Sequence, residues 1–127
     1  ADGLLERFLD TLSRAAPDIP HVLELRHASW FTPAVRDLLA AHGVAWAVSD
    51  SADWPRWDLA TPPLAYVRLH GAALTYVSPY SDQELARWAD TVRAWRGQGL
   101  AVQVYFDNTA QGHAVANARQ FLGLTAN

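Results

Sequence analysis

Hydrophobic residues recur along this chain with two periods, and the order in which those periods alternate is the first clue to its architecture. Between Asp2 and Ala16, the three- and four-residue spacing of Leu4, Leu5, Phe8, Leu9 and Leu12 predicts an amphipathic helix that Pro17 and Pro20 end. Val22-Leu23-Glu24-Leu25-Arg26 alternates instead, so Leu23 and Leu25 share one face of a strand while Glu24 and Arg26 share the other. Thr32 before Pro33 has the form of an N-cap with proline in the first turn, Val35, Leu38 and Leu39 supply a stripe, and Gly43 stops a short helix. Val44 to Ser49 is apolar throughout, as expected of a strand covered on both faces, and Asp50 sits at its carboxyl end. The segment 51–63 holds too many prolines for a helix and reads as a long loop.

The alternation is sharpest in Ala65-Tyr66-Val67-Arg68-Leu69-His70-Gly71, where Val67 and Leu69 oppose Tyr66, Arg68 and His70 and a glycine ends the run. A loop from Ala72 to Tyr80 follows. Ser81-Asp82-Gln83-Glu84 is a capping box ahead of the stripe Leu85, Trp88, Val92 and Trp95, and Gly97 and Gly99 close that helix. Leu100 to Phe106 is a last strand, in which Val102, Val104 and Phe106 oppose Gln103, Tyr105 and Asp107, with Asn108 just beyond. Ala114 to Leu122 forms the closing helix. Helix and strand therefore alternate throughout, which implies parallel strands joined by right-handed crossovers. Three of the strands carry polar side chains on one face at the carboxyl end, the habit of a (β/α)8 barrel, and such a barrel takes roughly 250 residues. The predicted fold class is α/β: half of a TIM-type (β/α)8 barrel, with about four parallel strands alternating with helices.

At 127 residues, half of them hydrophobic and six of them Trp, the chain is long enough for one domain with a substantial core. A net charge of −3 gives no basic surface for a grip on nucleic acid, which is not expected as a partner. No run reaches the roughly 18 to 20 apolar residues that cross a bilayer, and the amino end lacks a signal pattern, so no membrane is expected and the location is read as cytoplasmic. Cysteine is absent, which removes thiol nucleophiles and thiolate metal sites. Lysine is absent as well, which removes Schiff-base chemistry.

Five blocks, in order, resemble the YecE-like family (domain of unknown function 72). They are Leu23-Glu24-Leu25-Arg26-His27-Ala28-Ser29-Trp30-Phe31, Ser49-Asp50-Ser51, Tyr66-Val67-Arg68-Leu69-His70-Gly71, Tyr80-Ser81-Asp82 with Leu85 and Trp88, and Tyr105-Phe106-Asp107-Asn108 with Ala114-Val115-Ala116-Asn117-Ala118. The resemblance covers the carboxyl-terminal half of the family's pattern, whose amino-terminal blocks have no counterpart here. It implies a TIM-barrel fold in which the four strands are the fifth to eighth, and a domain over residues 1–127 that lacks its amino-terminal half. Ala28 stands where the family commonly has proline, and Asp107 where it commonly has asparagine. The resemblance names no activity.

Candidate chemistry therefore rests on residue types. Glu24 and His70 are the acid–base candidates: a partly enclosed carboxylate, and an imidazole at a strand end with a reference pKa of about 6.5. Arg26 and Arg68 offer planar forks for a carboxylate or phosphate, although each would serve equally to neutralise Glu24 or Asp107. His27, Asp50, Tyr80, Asp107 and Asn108, all at strand ends or in the loops beyond them, complete the substrate-binding set. Asp50, Asp107 and His70 could ligate a hard divalent ion, but no local spacing has the form of a metal motif, so no cofactor is evident and a divalent metal stays open as the less favoured reading. Trp46, Trp88 and Trp95 fall on core stripes, Trp30 is assigned to packing, and Trp54, Trp57, His21, His42 and His113 carry no assignment.

Three functions follow. One is an enzyme, a hydrolase, lyase or isomerase, acting on a small anionic or hydroxyl-rich substrate; another is a binding protein for a metabolite or nucleic-acid fragment. The last is an inactive fragment, whose open strand edges imply a missing half-barrel or self-association.

Overall fold

The computed structural model describes residues 2–126, apart from the side chain of Asp2. It contains helix α1 (Asp2–Ala15), strand β1 (Val22–Leu23), helix α2 (Pro33–Ala41), strands β2 (Ala45–Ser51) and β3 (Leu64–Gly71), helix α3 (Asp82–Gly97), strand β4 (Ala101–Phe106) and helix α4 (His113–Thr125). Short 3-10 turns at Ala28–Trp30 and Ala110–Gly112 precede α2 and α4. The four strands form one sheet in the order β1-β2-β3-β4, and every neighbouring pair is parallel. This is the α/β half-barrel that the alternation predicts.

Side-chain parity divides the sheet into two faces. Trp46 and Val48 of β2 and Ala65, Val67 and Leu69 of β3 are buried against the helical layer, where they meet Leu39 of α2 and Leu85, Trp88 and Val92 of α3. The opposite face of β3 carries Tyr66, Arg68 and His70. Ser49 lies beside Arg68 in the β2–β3 register, and Arg68 beside Tyr105 of β4. Parallel register thus gathers the polar ends of successive strands at one rim.

Local chemistry sets the element ends. Thr32 Oγ1 accepts from the Val35 amide at 3.2 Å with Pro33 in the first turn, and Gly43, at φ 65°, takes the chain out of α2. The capping box forms as predicted, Ser81 Oγ accepting from the Glu84 amide at 3.1 Å and Glu84 Oε1 from the Ser81 amide at 3.0 Å. Strand β1 is the clearest departure. Its ladder ends at Leu23, whereas alternation extended it to Arg26. Paired on one side only, this edge strand releases residues 24–26 from the ladder, and the side chains of Glu24 and Arg26 pair with each other beyond its end. No described helix is long and apolar enough to cross a membrane.

Candidate functional site

His70 closes β3 on the face opposite the core, and it is wholly buried. Its Nε2 lies 3.2 Å from Glu24 Oε1. Hydrogen bonds determine the rest of Glu24's surroundings: Arg26 donates to Oε2 through Nη2 at 2.6 Å and Nε at 2.8 Å, and Arg68 Nη1 donates to Oε1 at 3.3 Å. Burial pushes the Glu24 carboxyl up, but the bonds from His70 and Arg26 and the charge of Arg68 outweigh it and hold the pKa at about 2. An ionised carboxylate only accepts, so His70 Nε2 carries a proton, and in the neutral imidazole Nδ1 is then the free lone pair. Among the described residues Nδ1 has no hydrogen-bond partner; Asp107 Oδ2 is 3.7 Å away, engaged by Arg68 Nε at 2.9 Å.

The site therefore contains Glu24, Arg26, Arg68, His70 and Asp107 as one network. Two carboxylates and two guanidinium groups surround one imidazole, and their charges balance. Glu24, expected from its residue type to be an acid or base, is held ionised well below neutrality by these donors.

The remaining candidates lie elsewhere. Asp50 shares parity with Trp46 and Val48, so its carboxylate is buried on the helix side, where it accepts from Tyr80 Oη at 2.9 Å and Arg56 Nη1 at 3.2 Å. The Tyr80 hydroxyl accepts in turn from the Gly71 amide at 2.9 Å; burial and the Asp50 charge raise its pKa. Asn108 is also wholly buried, its Nδ2 donating to the Ser78 carbonyl at 3.1 Å and Asn117 Oδ1 at 3.0 Å. Asp50, Tyr80 and Asn108 thus brace the wall behind the rim. His27 is exposed and spends Nδ1 as the cap of the 3-10 turn, accepting from the Ser29 amide at 3.2 Å. Trp30 packs on the core edge. Among the described residues, no group of three His, Cys, Asp or Glu is arranged to hold a metal ion.

Two aromatic residues to which the sequence assigned no role, Trp54 and Tyr76, flank His70, and Ser49 holds the first of them. Trp54, in the loop after β2, meets the imidazole edge to face at 5.2 Å between ring centroids, and Tyr76, in the loop after β3, does so at 5.3 Å. Ser49 Oγ accepts from Trp54 Nε1 at 2.7 Å. Tyr76 has a left-handed backbone, φ 66°, and its amide bonds the His70 carbonyl. The turn that brings it there needs Gly71, at φ 113°, because a Cβ at that position would lie 2.5 Å from the Leu74 carbonyl oxygen. A usable signal for Ser49 existed, since its parity opposes that of Trp46 and Val48. An aromatic in a proline-rich loop has no period to betray its direction.

The profile of a family described as protein of unknown function DUF72 matches residues 2–127. This chain belongs to the DUF72 family. It is 28% identical over 132 residues to the UPF0759 protein YunF of Bacillus subtilis (strain 168), an alignment that covers 84% of this chain and 47% of that protein. The crystal structure of a DUF72 family protein from Thermotoga maritima MSB8 superposes with a TM-score of 0.86 at 26% identity, covering 96% of this chain and 52% of that one. A DUF72 protein from Enterococcus faecalis V583 matches in fold, with a TM-score of 0.83, 23% identity, and coverage of 96% and 53%. The DUF72 chain described here thus spans about half the length of these relatives.

Proposed function

We propose that this DUF72 chain carries the acid–base centre of an enzyme that moves a proton on a small hydroxyl-rich substrate, with His70 as the proton carrier. The observation that supports it is the polarised, unshared imidazole: Nε2 donates to Glu24 and Nδ1, buried, has no partner. A buried acceptor without a donor is uncommon in a folded protein and is a natural place for a substrate proton. Glu24 acts as the orienting group, and it stabilises the imidazolium that forms when Nδ1 takes a proton.

The charge balance favours a neutral hydroxyl-rich ligand over an anion. Arg26 and Arg68 are already in ion pairs, so an anion would have to displace Glu24 or Asp107. Hydroxyls can donate to the carboxylates and accept from the guanidinium groups without breaking either pair. With one proton carrier and both carboxylates occupied, isomerase or lyase chemistry fits better than hydrolysis, which asks for an activated water as well. Because Trp54 and Tyr76 cover the imidazole, the loops after β2 and β3 that carry them have to part for a substrate to enter. That enclosure favours the second reading, a pocket that binds such a ligand without turnover.

Incubation of the purified protein with polyhydroxylated aldehydes and ketones in D2O separates the two. Wild type should place deuterium on a substrate carbon and His70→Gln should lose at least roughly a hundredfold in rate, the usual size of a general-base effect. A compound that binds and neither exchanges nor changes would assign binding alone, as would affinity unaltered by Glu24→Gln.

A further inference from the structure

Trp54, Arg26, Glu24 and His70 touch one another in a closed circuit. The Arg26 guanidinium carbon lies 3.9 Å from the centre of the Trp54 ring, Arg26 binds Glu24, Glu24 accepts from His70 Nε2, and His70 returns to the Trp54 ring. Ser49, buried on β2, fixes the indole by its 2.7 Å bond to Nε1. From this circuit we infer that Trp54 is a positioning residue of the site, setting the orientation of the His70 imidazole and of the Arg26 fork from the loop that replaces a helix after β2.

Arg26 is half exposed, and Glu24, the Tyr76 hydroxyl and the indole face are the contacts that limit where its fork points. Removing the indole takes away the contact that covers the flat face of the fork, and the Glu24 carboxylate that the fork holds can then turn away from His70. The imidazole loses its edge contact in the same step. Trp54 therefore bears on which ring nitrogen of His70 holds the proton, through two routes that meet at the imidazole: one by way of Arg26 and Glu24, the other by direct ring contact. A side chain that merely filled space would leave the tautomer alone.

The inference rests on the reading of His70 as proton carrier for its significance in catalysis, but its physical test does not need turnover. The groups facing His70 are Glu24, Asp107, Trp54 and Tyr76; Arg68 binds both carboxylates, and Arg26 binds Glu24 and Tyr76. Nitrogen-15 NMR of the histidine rings, with His70 assigned by loss of its signals in His70→Gln, should show a single Nε2–H tautomer in wild type. In Trp54→Leu the two tautomers should mix and the titration midpoint of His70 should move by about half a pH unit or more. Trp54→Phe and Ser49→Ala, which keep a folded core, should shift both readouts in the same direction by less, so the test survives if the leucine variant fails to fold. Once a substrate is in hand, the pH profile of kcat should move with the NMR midpoint, and kcat should fall roughly tenfold as the base is misplaced. Tautomer and midpoint unchanged in all three variants would overturn the inference, whatever His70→Gln does to turnover. Loss of the tautomer in these variants with turnover intact in His70→Gln would leave the positioning in place and sink the proposed function instead.

Discussion

Glu24 has given up most of its contact with water and replaced it with three donors, so the sign of its titration can be checked against stability. A carboxyl whose folded pKa lies near 2, below its ordinary value of 4.5, stabilises the fold fully above 4.5 and ceases to do so as pH falls through about 2. Glu24→Gln keeps the shape but removes the charge that Arg26, Arg68 and His70 share. It should lower unfolding free energy by about 1 to 3 kcal/mol at neutral pH, the range for hydrogen bonds to a charged group, and the gap from wild type should narrow steadily below pH 4.5. Urea melts of both proteins between pH 7 and pH 2 measure this. A gap that stays constant over the range would show that Glu24 contributes by packing alone. At this scale the sequence was informative about which residues meet, because Glu24, Arg26, Arg68 and His70 all follow from parity at strand ends. It was silent about their states. Whether Glu24 gives, takes or merely holds a proton depends on three partners brought from elsewhere in the chain, and no local pattern specifies them.

Asn117 of α4 joins three elements through one amide. Its Oδ1 accepts from the Tyr80 amide at 2.9 Å and from Asn108 Nδ2, and its Nδ2 donates to the Tyr80 carbonyl at 3.2 Å. The helix thereby fixes both the entry to α3 and the end of β4. Asn117→Ala would leave the Tyr80 amide and one of the two Asn108 Nδ2 hydrogens without acceptors in a buried place, so a loss of about 2 kcal/mol or more is expected, against about 1 kcal/mol for removing the exposed cap in Ser81→Ala. Denaturant midpoints at unchanged m-value provide the comparison, and equal losses would contradict the buried-bridge argument. The cap itself was plain in the order Ser-x-x-Glu, since a capping box is a local event within one turn. Asn117 could be placed only on a helix, because its partners lie 37 and 9 residues away in sequence. Asp50 shows the same limit in another form: its position at a strand end was right, while counting parity from Trp46 and Val48 would have turned its carboxylate to the helix side.

The sheet as a whole leaves both outer strands with one neighbour each among the described residues, β1 beside β2 and β4 beside β3. Parallel sheets are usually covered on both faces and paired along both edges, so this arrangement has backbone donors and acceptors to satisfy. The inner face beside β4 is not a polar surface either, since Tyr105 is half exposed and stacks on Tyr66 at 5.1 Å. Alternation of helix and strand foretold that architecture because periodicity and crossover handedness are repeated along the chain, whereas what lies against the edges is not encoded in any one period. A longer polypeptide with further strands would satisfy them from within. The 127-residue chain by itself has only other copies, so it should sediment as a dimer or larger species from micromolar to submillimolar concentration. Tyr105→Lys, which sets a charge on the inner face of the edge strand, should shift that equilibrium toward monomer, as edge charges do in natural sheets. A compact monomer across the whole range, with no effect of the lysine, would mean that the open edges are satisfied by water alone and that this half of the fold is a self-sufficient unit.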